Sequence, residues 1–83
     1  MTTYSFTRHA ERQLRKFPID VQRRIIQKII HYINTGNPLH FAETIEGAHG
    51  KVYRFRVGDC RVIFDWENGH ILVTKIPLRS RAY

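Results

Sequence analysis

One cysteine, Cys60, is the whole thiol content of the chain, so no internal disulfide framework can staple it. No apolar run approaches the ~20 residues that a membrane-spanning helix needs. No positive, apolar, small-residue leader opens the sequence either. The expectation is a cytoplasmic protein without a membrane partner. Glycine is sparse and never gathered into a phosphate-cradling loop, which argues against nucleotide-driven chemistry. His9, His31, His40, His49 and His70 show no metal-ligand spacing with Cys60 or with one another, so no zinc and no other cofactor is expected. Acidic residues are also few: seven Asp and Glu stand against fourteen Lys and Arg, for a formal charge of +7. In so small a domain that balance points to a polyanion, most often nucleic acid, or to an acidic protein partner.

What is present fits one domain over residues 1–83, with a core just large enough to fold alone. Thr3, Tyr4, Ser5 and Phe6 alternate as a short strand, with Tyr4 and Phe6 to one side. Thr7 is an N-cap for a helix whose Ala10, Leu14 and Phe17 share a face, and Pro18 stops it at about Phe17. A second helix is expected from an N-cap at Asp20 to Asn34 or Thr35, with Gly36 as its stop. Val21, Ile25, Ile29 and Ile33 form its apolar stripe, widened by Ile26 and Ile30. Periodicity fades from Asn37 to Gly50, an irregular connection tacked to the core by Phe41 and Ile45.

The strongest signal runs from Lys51 to Trp66, KVYRFRVGDCRVIFDW. Tyr53, Phe55 and Val57 alternate with Arg54 and Arg56. Gly58 and Asp59 supply a two-residue turn with glycine first, and Val62, Phe64 and Trp66 resume the alternation. Asn68-Gly69 marks a second hairpin turn into a last strand from His70 to Ile76, ended by Pro77. The order is therefore β-α-α-β-β-β, an α+β fold with a helical hairpin on one face of a small antiparallel sheet. A type II′ turn places Arg56 opposite Arg61 and Arg54 opposite Ile63. If helices cover Tyr53, Phe55, Val62, Phe64 and Val73, then Arg54, Arg56 and Arg61 lie on the open face, with Ile63, Leu72 and Ile76 beside them. Like charges set opposite each other weaken a sheet, so an anion that sits on the arginines is one explanation. A solvated outer face is the other.

The element order, the stretch YRFRVGDCRVIFDWENGHILV and the closing RSRAY resemble the RelE/ParE superfamily of type II toxins, whose fold is microbial-RNase-like. The resemblance implies a toxin paired with a neutralising antitoxin in a hetero-oligomer. It implies cleavage of mRNA at the ribosomal A site in the RelE branch, and poisoning of DNA gyrase in the ParE branch. Carried over by position, the RelE-like site residues fall on Arg54, Arg56, Arg61, Arg79 and Tyr83. Cys60 departs from a usual tyrosine, Pro77-Leu78 from a glycine and a histidine or lysine, and Arg81 from a frequent glutamate. The missing histidine or lysine leaves open an inactive homologue whose basic face binds antitoxin, or operator DNA in its company.

Arginine does not deprotonate in proteins, so Arg54, Arg56, Arg61 and Arg79 are expected to bind the scissile phosphate and stabilise transition-state charge. Tyr83 is the expected base, because neighbouring guanidinium groups favour its phenolate. A packed anchor and a base-stacking ring are its other readings. Lys51, Lys75 and Arg81 are expected to bind RNA, with a surface-loop role as the alternative for Lys51 and His49. The basic residues of the two helices are expected to serve solubility in the main, so those of the strands and tail carry most of the functional weight.

Overall fold

The computed structural model describes residues 2–45 and 52–77. Strand β1 (Thr3–Phe6) leads into helices α1 (Arg8–Arg15) and α2 (Ile19–Asn34). A short 3-10 turn (Pro38–Phe41) then precedes β2 (Glu43–Thr44), β3 (Val52–Val57), β4 (Cys60–Glu67) and β5 (His70–Lys75). The five strands form one sheet in the order β1-β5-β4-β3-β2. Every pairing is antiparallel except that of β1 with β5.

The helices form where apolar spacing and capping agree. Thr7 is extended and its Oγ1 accepts the Ala10 N–H at 3.1 Å, which satisfies a donor that the first turn of α1 leaves over. The turn between the helices is held by Gln22, whose Nε2 donates to the Phe17 carbonyl at 2.8 Å. Helix α2 begins one residue before the expected cap. Pro18 holds that position with extended torsions, and Asp20 lies inside the first turn, where its charge faces the positive end of the helix dipole.

Ala10, Leu14, Ile25 and Ile29 from the helices meet Phe55, Val57, Val62, Phe64, Ile71, Val73 and Ile76 from the sheet side in a single core. Each large apolar side chain so buried contributes about 1.5–3 kcal/mol before conformational entropy is counted. Val21, Ile26 and Ile33 pack at the margin of this core. Ile30, expected to widen the stripe, is 40% exposed, because it falls at the edge of the helix face that Ile25 and Ile29 turn to the sheet.

The stretch expected to be irregular contains β2, the strand that brings the sheet to five. Glu43 pairs with Arg54 and Thr44 with Tyr53, and the Ile45 N–H donates to the Val52 carbonyl. Leu39 and Ala42, rather than Phe41 and Ile45, pack against the core here, and Pro38 is buried. Phe41 stays 41% exposed, stacked at 4.6 Å on Tyr32, whose ring in turn lies 4.8 Å from that of Phe55.

A second correction concerns Ile76, expected on the open face and found fully buried. Ile63 pairs with Lys75 while Phe64 pairs with Val73, so Thr74 is an extra residue in β5. Such a bulge reverses the alternation after it. Lys75 is thereby turned to the open face and Ile76 to the core, where its N–H donates to Gln13 Oε1 at 2.6 Å.

Candidate nucleic-acid interface

The central hairpin forms in the expected register: Arg56 stands opposite Arg61, Arg54 opposite Ile63 and Val57 opposite Cys60. Gly58 has φ +60, as the first position of a type II′ turn requires, while Asn68 and Gly69 both have positive φ, as a type I′ turn requires. Both turn types match the right-handed twist of the strands, and the register follows from them. With Phe55, Val62 and Phe64 buried beneath the helices, Arg54, Arg56 and Arg61 necessarily project from the other face.

Lys75 joins them through the Thr74 bulge, next to Ile63. Pairing across β5, β4, β3 and β2 sets Lys75, Ile63, Arg54 and Glu43 in one row, with Arg61 and Arg56 in the next. Four cations thus surround one partly buried isoleucine on a sheet face that neither helix covers. Arg61 and Arg56 also line a pocket at the turn with Gly58, Asp59 and Cys60. Lys51, Arg79, Arg81 and Tyr83 lie outside the described residues, so of the expected site residues the structure brings together Arg54, Arg56, Arg61 and Lys75.

Two residues near this face escaped the sequence reading. Arg24 of α2 reaches the same turn: a Cβ placed on Gly58 would lie 3.8 Å from Arg24 Nη1. Its helical spacing marks it as a surface residue, and only the packing of α2 on the sheet brings it there. Glu43 is the other. Its Oε1 accepts from Arg54 Nη2 at 2.6 Å and Nε at 3.0 Å, and from Arg56 Nε at 3.3 Å. The Arg54 hydrogen bond, opposed by partial desolvation and helped by the charges of Arg54 and Arg56, holds the Glu43 carboxyl below its ordinary value of 4.5. The available signal was a carboxylate ahead of an arginine-bearing strand, but a two-residue strand carries too little pattern to align it.

At the far end of the open face His70 hydrogen-bonds Thr3 Oγ1 at 2.6 Å and Ser5 Oγ at 2.8 Å, which ties β1 to β5. Among the described residues no three His, Cys, Asp or Glu side chains converge in a way that could hold a metal ion.

No family model and no curated protein sequence matches the chain. Solved structures do match. A chain of the RelBE2 toxin–antitoxin complex of Mycobacterium tuberculosis superposes with a TM-score of 0.81 at 18% identity, over 94% of this chain and 98% of that one. The archaeal RelE–RelB complex of Pyrococcus horikoshii OT3 gives 0.66 at 27% identity, over 98% and 97%. The RelB–RelE antitoxin–toxin complex of Methanococcus jannaschii gives 0.70 at 22% identity, over 87% and 86%. This chain has a RelE-like toxin fold. The likeness spans nearly the whole described molecule, so the RelE-like layering extends from β1 to β5. Within that layering, the face opposite the helices is where this chain places its converging arginines.

Proposed function

We propose that the chain is the toxin of a type II toxin–antitoxin pair and that its arginine face binds and cleaves mRNA in the ribosomal A site. The observation that carries this reading is Arg56 directly opposite Arg61, flanked by Arg54 and Lys75, on the sheet face away from the helices. The three solved neighbours, each a toxin–antitoxin complex, support the same class and an antitoxin as partner. The site of action is the cytoplasm, and operator DNA is reached through the antitoxin. No helix among the described residues is long and apolar enough to cross a membrane.

In the proposed reaction a 2′-hydroxyl oxygen attacks the adjacent phosphorus while a base takes its proton. The bond to the 5′-oxygen breaks, that oxygen is protonated, and a 2′,3′-cyclic phosphate remains. Arg54, Arg56 and Arg61 hold the phosphate and offset the charge that grows on it, and Arg79 is assigned the same part by its place in the sequence. Tyr83 is the proposed base. Glu43 also reaches this face, but hydrogen bonds from Arg54 and Arg56 make it a weak proton acceptor.

Primer extension on a translated reporter mRNA after brief induction tests this, with Arg61→Ala in parallel. Cuts at codon boundaries that fall by a hundred- to thousand-fold in the variant are expected, the cost of one lost transition-state donor being about 2.7–4 kcal/mol. Intact mRNA with arrested growth sinks the nuclease reading and turns attention to a gyrase supercoiling assay. Intact mRNA with normal growth identifies an inactive homologue.

A further inference from the structure

The arginine face already holds an anion, and that anion belongs to the chain. Glu43 brings one carboxylate to two guanidinium groups, and a single oxygen accepts all three N–H bonds. The two arginines keep an excess positive charge, and Arg61 and Lys75 add to it from the neighbouring strands. The two partners are unequally anchored. The Arg54 side chain is 28% exposed on a six-residue strand, whereas Glu43 is 50% exposed on a strand of two residues at the sheet edge. The guanidinium seat is built into the sheet, and its occupant stands half exposed at the sheet edge.

We infer that the seat between Arg54 and Arg56 is a phosphodiester site kept filled by Glu43, which a nucleic-acid strand must displace or neutralise before it can engage both arginines. This deepens the arginine-face reading and rests on it. A phosphodiester is favoured over a partner's carboxylate because Glu43 already provides the carboxylate contacts, so a second carboxylate exchanges like for like. A polynucleotide adds further phosphates for Arg61 and Lys75, whose charges Glu43 does not meet. Glu43 therefore acts as a selectivity element: it raises the affinity threshold that an isolated anion must pass, and leaves a strand with several phosphates able to pass it.

Fluorescence anisotropy with a labelled 2′-O-methyl oligonucleotide, which binds but cannot be cut by 2′-hydroxyl attack, tests this on the intact chain. Glu43→Gln retains an acceptor for Arg54 and Glu43→Ala removes it, so a folding defect in one, checked by thermal melting, does not decide the result. Glu67→Gln makes the same change in net charge at the far end of the face, opposite His70. The expected result is several-fold tighter binding in both Glu43 variants and little change in Glu67→Gln. The salt dependence should steepen by about 0.7 in log–log slope for each further phosphate engaged. Equal gains from Glu67→Gln would overturn the inference, since bulk charge then explains the effect. Unchanged affinity in the Glu43 variants, with Arg61→Ala weakening binding, also overturns it while the arginine-face reading stands. If Arg61→Ala has no effect either, both fall.

Discussion

Replacing Arg61 by glutamine should make the protein more stable while it removes function. Arg61 and Arg56 face each other directly across β3 and β4. Two unit charges about 6 Å apart in water repel by about 0.7 kcal/mol, and a Debye length of about 10 Å at 0.1 M salt reduces this to about 0.4. That agrees with the few tenths expected of like-charge cross-strand pairs, about 0.2–1 kcal/mol. Glu43 softens the repulsion only in part, since its shorter contacts go to Arg54 and its bond to Arg56 is the long one at 3.3 Å. For a domain of this size about 0.4 kcal/mol moves the melting temperature by about 2–3 °C. Thermal melts of the wild type and Arg61→Gln in 20 mM and 1 M salt would show the variant higher at low salt and the two nearly equal at high salt. Sulfate should raise the wild type more than the variant. A variant that melts lower at low salt, or a gap that survives 1 M salt, refutes the claim that repulsion across this pair is held in the fold.

Two further predictions follow from single contacts. Gln13→Ala leaves the Ile76 N–H without its acceptor at a fully buried residue, which should cost about 1–3 kcal/mol in chemical denaturation. Glutamate at the same position, which keeps the acceptor, should restore most of it. Glu43 supplies a pH dependence: its folded pKa is depressed, so its contribution is present above the ordinary value of 4.5 and is lost as pH falls through the lower folded value. The melting temperature of the wild type minus that of Glu43→Gln should therefore decline from pH 6 towards pH 3, and a flat difference counts against the carboxylate's role in holding β2.

The parts legible in the sequence were those in which one short stretch carries the whole instruction. Gly58-Asp59 between two alternating runs admits one favoured turn, and that turn sets which arginine meets which. Four-residue apolar spacing and the Thr7 cap do the same for the helices. Strict alternation also exposed its own limit at Thr74. No residue type there announces a bulge, so strict alternation puts Ile76 on the wrong face and offers no reason for Lys75 to share the arginine face.

By itself, then, the sequence determined the hairpin register, the two helices and the accumulation of arginine on one side of the central strands, because each depends on neighbours within a few positions. Only the tertiary structure decided that β1 lies parallel to β5, that β2 adds to β3, that Arg24 reaches the Gly58 turn and that Glu43 closes on Arg54 and Arg56. Those contacts include residues 11 and 67 positions apart, in the Arg54–Glu43 and Thr3–His70 bonds. Their geometry is set when the helices bury one face of the sheet and so fix what the other face presents, which no local pattern encodes.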